Sequence, residues 1–87
     1  MHTVKKLDET RYEVTVQGSR QTKHVVTVPL DYAKKLLGEK RSVEYLVSRS
    51  FDFLLEREPN TSILLSFELP VIGRYFPDYE RVIRDML

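Results

Sequence analysis

The chain contains no cysteine, so no disulfide framework and no thiolate metal site can hold it together. Packing alone must do so, and the lack of cysteine fits a reducing interior. At 87 residues that packing forms a single domain, residues 1–87, with a small core. Pairing with a second copy is a natural way for such a chain to bury more apolar surface.

Long apolar runs are also missing, which leaves nothing to cross a membrane. The opening "MHTVKKLDETRYEVTV" has no apolar stretch followed by a small-residue cleavage site, so a cytoplasmic location is expected. A strong charge of one sign is lacking too. Net charge is +1, with residues 1–44 holding 9 Lys/Arg against 6 Asp/Glu and residues 45–87 holding 5 against 7. A dedicated nucleic-acid binder usually carries a larger basic excess, so this balance disfavours that class.

Catalytic signatures are equally scarce. The two histidines are His2, near an end expected to fray, and His24, on a strand face with Val26 and Val28 where a packing role is expected. They make no zinc set with each other, and the acidic residues show no calcium-loop spacing. The three glycines, Gly18, Gly38 and Gly73, are isolated, so no loop cradles a phosphate. Asp52, Glu56, Arg57 and Glu58 read as a solvated helix face. Neither an enzymatic activity nor a cofactor is expected.

Hydrophobic residues at 41% and charged residues at 31% are nevertheless those of a folding globular chain. Tyr12, Val14 and Val16 alternate with Glu13, Thr15 and Gln17, and a second alternating run spans Lys23 to Val28. With "QGSRQT" between them they predict an antiparallel hairpin, to which Val4–Leu7 adds a third strand. Pro29 suits the start of a short helix, "LDYAKKLLG", ending where Gly38 can cap it, and "EKR" at 39–41 serves as a linker. Ser42 is the expected N-cap of the main helix, 43–57. Around that helix Val43, Leu46, Val47, Phe51, Phe53, Leu54 and Leu55 span an arc of roughly 200° at 100° per residue, so cover is needed on two sides. Ser50 lies inside the arc, where a small residue permits close approach.

Pro59 ends that helix. The stretch "SILLSFEL" fits a strand or a turn of helix, and a short helix is expected because Pro59 and Pro70 would interrupt a sheet ladder and Thr61–Ser62 offers capping chemistry. In "FELPVIGRYFPDYE", Pro70 starts a helical turn carrying Val71, Ile72 and Tyr75 on its buried side, and Pro77 holds Phe76 extended and opens a last helix with Glu80–Arg84 as a supporting pair. The aromatics there are expected to pack a corner, with Phe76 and Tyr79 buried and Tyr75, together with Tyr45 of the main helix, left as contact residues.

Residues 23–58, "KHVVTVPLDYAKKLLGEKRSVEYLVSRSFDFLLERE", resemble the element order of ribbon-helix-helix DNA-binding proteins: strand, proline, short helix, linker with a capping serine, longer amphipathic helix. In that family paired strands from two chains enter the major groove. The resemblance implies Lys23, Val25 and Thr27 as base readers and Ser42 at a phosphate-holding helix start. A strand already hairpin-paired at 11–17 departs from the pattern. The second half, "FLLEREPNTSILLSFELPVIGRYFPDYE", is similar to a group of short uncharacterised microbial proteins, a likeness that implies a stand-alone chain.

The expected fold is α+β: an N-terminal antiparallel β-hairpin or three-stranded meander packed on a central helix at about 43–57, followed by short C-terminal helices, with no parallel sheet. The expected function is a non-enzymatic protein-interaction or adaptor module able to pair as a homodimer, with Tyr45 and Tyr75 as its contact residues. The alternative is a dimeric ribbon-helix-helix-like regulator.

Overall fold

The computed structural model describes residues 1–38 and 41–87. The alternating runs form β1 (His2–Lys6), β2 (Arg11–Val16) and β3 (Thr22–Thr27), an antiparallel meander. α1 (Leu30–Leu37) follows Pro29 and ends at Gly38, whose φ of 63° is strained for any residue with a side chain. Residues 39 and 40 of the expected linker lie outside the described residues. The central helix α2 (Val43–Leu55) starts as expected, the Ser42 hydroxyl accepting the Tyr45 amide at 3.1 Å. It ends two residues before the expected boundary.

Two expectations are overturned beyond Pro59. "SILLSFEL" is not a helix: a 3-10 turn at Asn60–Ser62 leads into a short strand, β4 (Ser66–Glu68). The prolines do not interrupt its ladder because only three residue pairs form, Val25↔Ser66 to Thr27↔Glu68, and Pro59 and Pro70 lie outside them. The pairing with β3 is parallel, contrary to expectation. The long crossover through α1 and α2 makes that geometry possible, as parallel neighbours need a connection of a dozen or more residues. The sheet order is β1-β2-β3-β4.

After β4 come a 3-10 turn at Leu69–Val71, α3 (Ile72–Tyr75) and α4 (Tyr79–Met86). One sheet face, with Tyr12, Val14, Val16, His24 and Val26, is buried against the helices, while Thr3, Lys5, Arg11, Lys23, Ser66 and Glu68 on the other face are exposed. α2 is covered on both sides of its apolar arc, as its width demanded: by the sheet and by α1 and α4. Phe51, fully buried, is ringed by His2, His24 and Phe67, with centroids at 6.1, 5.4 and 6.2 Å. Ser50 lets α4 approach closely, and it does more than that. Its hydroxyl donates to the Leu46 carbonyl at 2.7 Å, so the Tyr79 hydroxyl, 2.6 Å away, must donate to it. Burial pushes the Tyr79 phenol well above its ordinary value.

The expected Glu80–Arg84 pair gives way to a tertiary one. Glu80 accepts the Tyr32 hydroxyl at 2.8 Å and faces the Lys35 ammonium at 3.2 Å, tying α4 to α1. The Tyr32 hydrogen bond and then Lys35 hold the Glu80 carboxyl below its usual range, and burial together with that carboxylate raises the Tyr32 phenol.

Candidate functional site

His24 and Asn60 place the segment that precedes β4. The Leu64 carbonyl can only accept, so the His24 Nδ1 at 2.8 Å carries the ring hydrogen and Nε2 accepts from the Thr22 hydroxyl, also at 2.8 Å. The Asn60 amide donates to that same hydroxyl oxygen at 2.9 Å and to the Arg20 carbonyl at 2.8 Å. A Cβ at position 18 would stand 3.1 Å from the Asn60 Oδ1, so glycine at the hairpin turn allows the amide in. Among the described residues no buried side-chain nitrogen or oxygen lacks a hydrogen-bond partner, in keeping with a packing role for His24.

With residues 60–66 held in that way, the chain leaves an apolar cleft between β4, the end of α2, and α3. It measures about 270 Å³ and is lined by Leu54, Glu58, Ile63, Leu64, Phe67, Ile72, Tyr75 and Phe76, among others. At its mouth Leu64 and Tyr75 are 48% and 66% exposed, and Leu65, next to Leu64 in the chain, is 64% exposed. Phe76 is half-buried on one wall, its ring edge-on to Phe53 at 5.8 Å, and Tyr79 meets the same ring at 5.2 Å. Phe76 has φ −130° and ψ 90°, the extended backbone that Pro77 demands. The corner packing expected of "FELPVIGRYFPDYE" is therefore found for Tyr79 and in part for Phe76, whereas Tyr75, expected on the buried side of its turn, stands out at the cleft because α3 is only four residues long and leaves that side uncovered.

The two proposed contact tyrosines are not brought together. Tyr45 is half-buried in the first turn of α2 under the Arg41 guanidinium, 5.2 Å from its ring centre, and does not line the cleft. Lys23, Val25 and Thr27 all lie on the exposed face of β3, the side the ribbon-helix-helix resemblance assigns to them, with Lys23 fully out and the other two partly covered. β3 itself is paired within the chain on both edges, by β2 and β4. Ser42 is committed to capping α2.

His2, expected at a frayed end, is instead fixed in β1. Its Nε2 lies 3.0 Å from both the carbonyl and the hydroxyl oxygen of Ser48 and 3.8 Å from the Asp52 carboxylate. These three residues resemble a nucleophile–base set only in composition. A carbonyl must be met by an N–H, so the nitrogen facing the Ser48 hydroxyl already carries its hydrogen and cannot take another. Both acceptors and the acid crowd one nitrogen, whereas a working relay needs the acid on the other. The contact fastens β1 to α2. Among the described residues no group of three or more His, Asp or Glu is arranged to hold a metal ion.

Sequence reasoning missed the cleft because it was built on a helical reading of 63–69. The alternation of Ile63, Leu65, Phe67 and Leu69 was the signal that could have found it. No family model, no curated protein and no solved structure matches the chain.

Proposed function

We propose that the protein is a non-enzymatic interaction module that docks a protein partner on the cleft beside β4. The carrying observation is that two large apolar side chains, Leu64 and Tyr75, stand exposed on an apolar cavity, with exposed Leu65 next in the chain to Leu64, beside a sheet edge that has no neighbouring strand among the described residues. Scattered apolar residues are ordinary on a surface, but exposed apolar side chains lining a cavity at an unpaired strand edge are an aggregation hazard unless a partner covers them. The partner acts on this surface as an extended or folded protein segment, a second copy included. Tyr75 is the contact residue within it, and Tyr45 a separate one.

A photo-crosslinking amino acid at position 75 tests this in the cell of origin. It should give a discrete adduct that disappears when Leu65→Lys is added, while the same probe at Arg81 gives none. Equal labelling at both positions would remove the reading.

A second reading has one observation in its favour. Lys23, Val25 and Thr27 share the sheet face opposite the buried one, as the ribbon-helix-helix resemblance requires. It is the weaker one because both edges of β3 are occupied within the chain. Retardation of a random DNA duplex that falls steeply with salt, and is lost on replacing Lys23 and Thr27 by alanine, would establish it over the first.

A further inference from the structure

We infer that the cleft takes an extended peptide that adds a strand to the free edge of β4, seating an apolar side chain beside Phe67 and a lysine or arginine beside Glu68. This rests on the cleft being the docking site and names what it docks. Three observations lead there.

The first is size. At about 270 Å³ the cleft is below the roughly 300–1,000 Å³ usual for cofactors and other small ligands. Its space suits one or two amino-acid side chains. The second is the pleat. Phe67 points inward, onto Phe51 and into the cleft, whereas Ser66 and Glu68 are exposed on the opposite face. A strand laid along β4 shares that alternation, so one of its side chains enters the cleft while the next in each direction stands beside Ser66 and Glu68.

The third observation is charge. On the exposed face Glu13 lies directly opposite Lys5 of β1, an acid matched across the ladder by a base. Glu68 instead lies opposite the neutral Thr27, and beyond it the sheet ends. Neither Glu68 nor Glu58, the charged residue lining the cleft, forms an ion pair among the described residues. A cation on the incoming strand supplies the partner that the sheet omits, and it sets the register as well as the attraction.

The test uses the full chain against a positional-scanning array of acetylated, amidated heptapeptides, followed by fluorescence anisotropy on the selected peptide and its charge variants. The array should select Phe, Leu or Ile at one position and Lys or Arg next to it, and glutamate in place of that cation should weaken binding about tenfold. In the Glu58→Lys/Glu68→Lys protein the charge preference should invert while the apolar preference persists. Tyr75→Ala should weaken all peptides alike, by about threefold. An unchanged thermal midpoint in each variant shows that the effect is local. Apolar selection that is indifferent to charge but still sensitive to Tyr75→Ala overturns the inference and leaves the docking site standing. No selection at any position overturns both. A dimer in sedimentation that Leu65→Lys dissolves, with no peptide bound, assigns the edge to a second copy and overturns the inference as well.

Discussion

The two edges of the sheet are built to opposite ends. β1 runs beside β2 for five residue pairs, turns Lys5 and Lys6 to solvent, and is pinned to α2 through His2. β4 has three pairs, one neighbour, and no lysine; leucines and a cleft flank it. Lysines on an edge strand deter further pairing, because another strand would have to bury their charge. One edge of this small sheet thus carries charges that deter a further strand, and the other does not.

The comparison breaks first at Phe51, the ring both edges share. Phe51→Ala should cost about 3–5 kcal/mol and unfold both edges together, seen as one cooperative thermal transition at a much lower temperature. Separate transitions for β1 and β4 would mean that the edges are independently held.

Removing the His24 ring addresses the open edge alone. His24→Ala leaves the Leu64 carbonyl and the Thr22 hydroxyl without their partner, a loss of about 1–3 kcal/mol for stranded polar groups in addition to the lost packing on Phe51. Hydrogen exchange should rise in residues 64–68 well before β1 and β2. Uniform acceleration across the sheet would show that the network holds more than β4.

The far side of α2 serves as a control. Ser50→Ala strands the buried Tyr79 hydroxyl and should cost about 1–3 kcal/mol, whereas Ser50→Ala combined with Tyr79→Phe, with no hydroxyl left to satisfy, should cost less than the two changes summed. Strict additivity by denaturant unfolding would contradict the coupling of the two hydroxyls. Neither protein should alter exchange at β4 selectively.

Swapping the guards should change association more than stability. Lys5→Thr with Lys6→Thr should leave the unfolding free energy within about 0.5 kcal/mol yet promote self-association at β1, while Leu65→Lys should be similarly mild and suppress association at β4. Sedimentation velocity reads both, and an unchanged state in all variants would remove the contrast between edges.

The smallest effect is pH-linked and lies away from both edges. The Tyr32 hydrogen bond and then Lys35 depress the Glu80 carboxyl in the folded state, so their contribution is present above the ordinary glutamate range and lost as pH falls below it. Because the Glu80 side chain is 35% exposed and its interactions are partly screened by water, Tyr32→Phe should remove under about 1 kcal/mol at neutral pH, and the difference from the parent chain should shrink on acidification. A difference that grows at low pH would reverse the assigned sign.

Local pattern decided much of this molecule. Period-two alternation placed β2 and β3, Ser42 and the apolar arc placed α2, and Pro77 with its neighbours placed the corner at Phe76, because each of these depends on residues close in the chain. Burial of Tyr79 and half-burial of Phe76 were readable from the same stretch, whereas for Tyr75 that stretch pointed both ways and only the packing around α3 left it exposed. What sequence could not decide were the features made by residues far apart. The strand identity of Ser66–Glu68 depends on an open β3 edge and on the carbonyl that His24 fixes 40 residues away, and local preference was ambiguous there. Glu80 left its helical neighbour for Lys35 and Tyr32, and His2 was held by Ser48 and not frayed, for the same reason: tertiary partners outweigh the few tenths of a kcal/mol that local pairs supply. The cleft belongs to this second group. Its walls come from α2, β4 and α3, and only the crossover that sets β4 parallel to β3 brings them face to face.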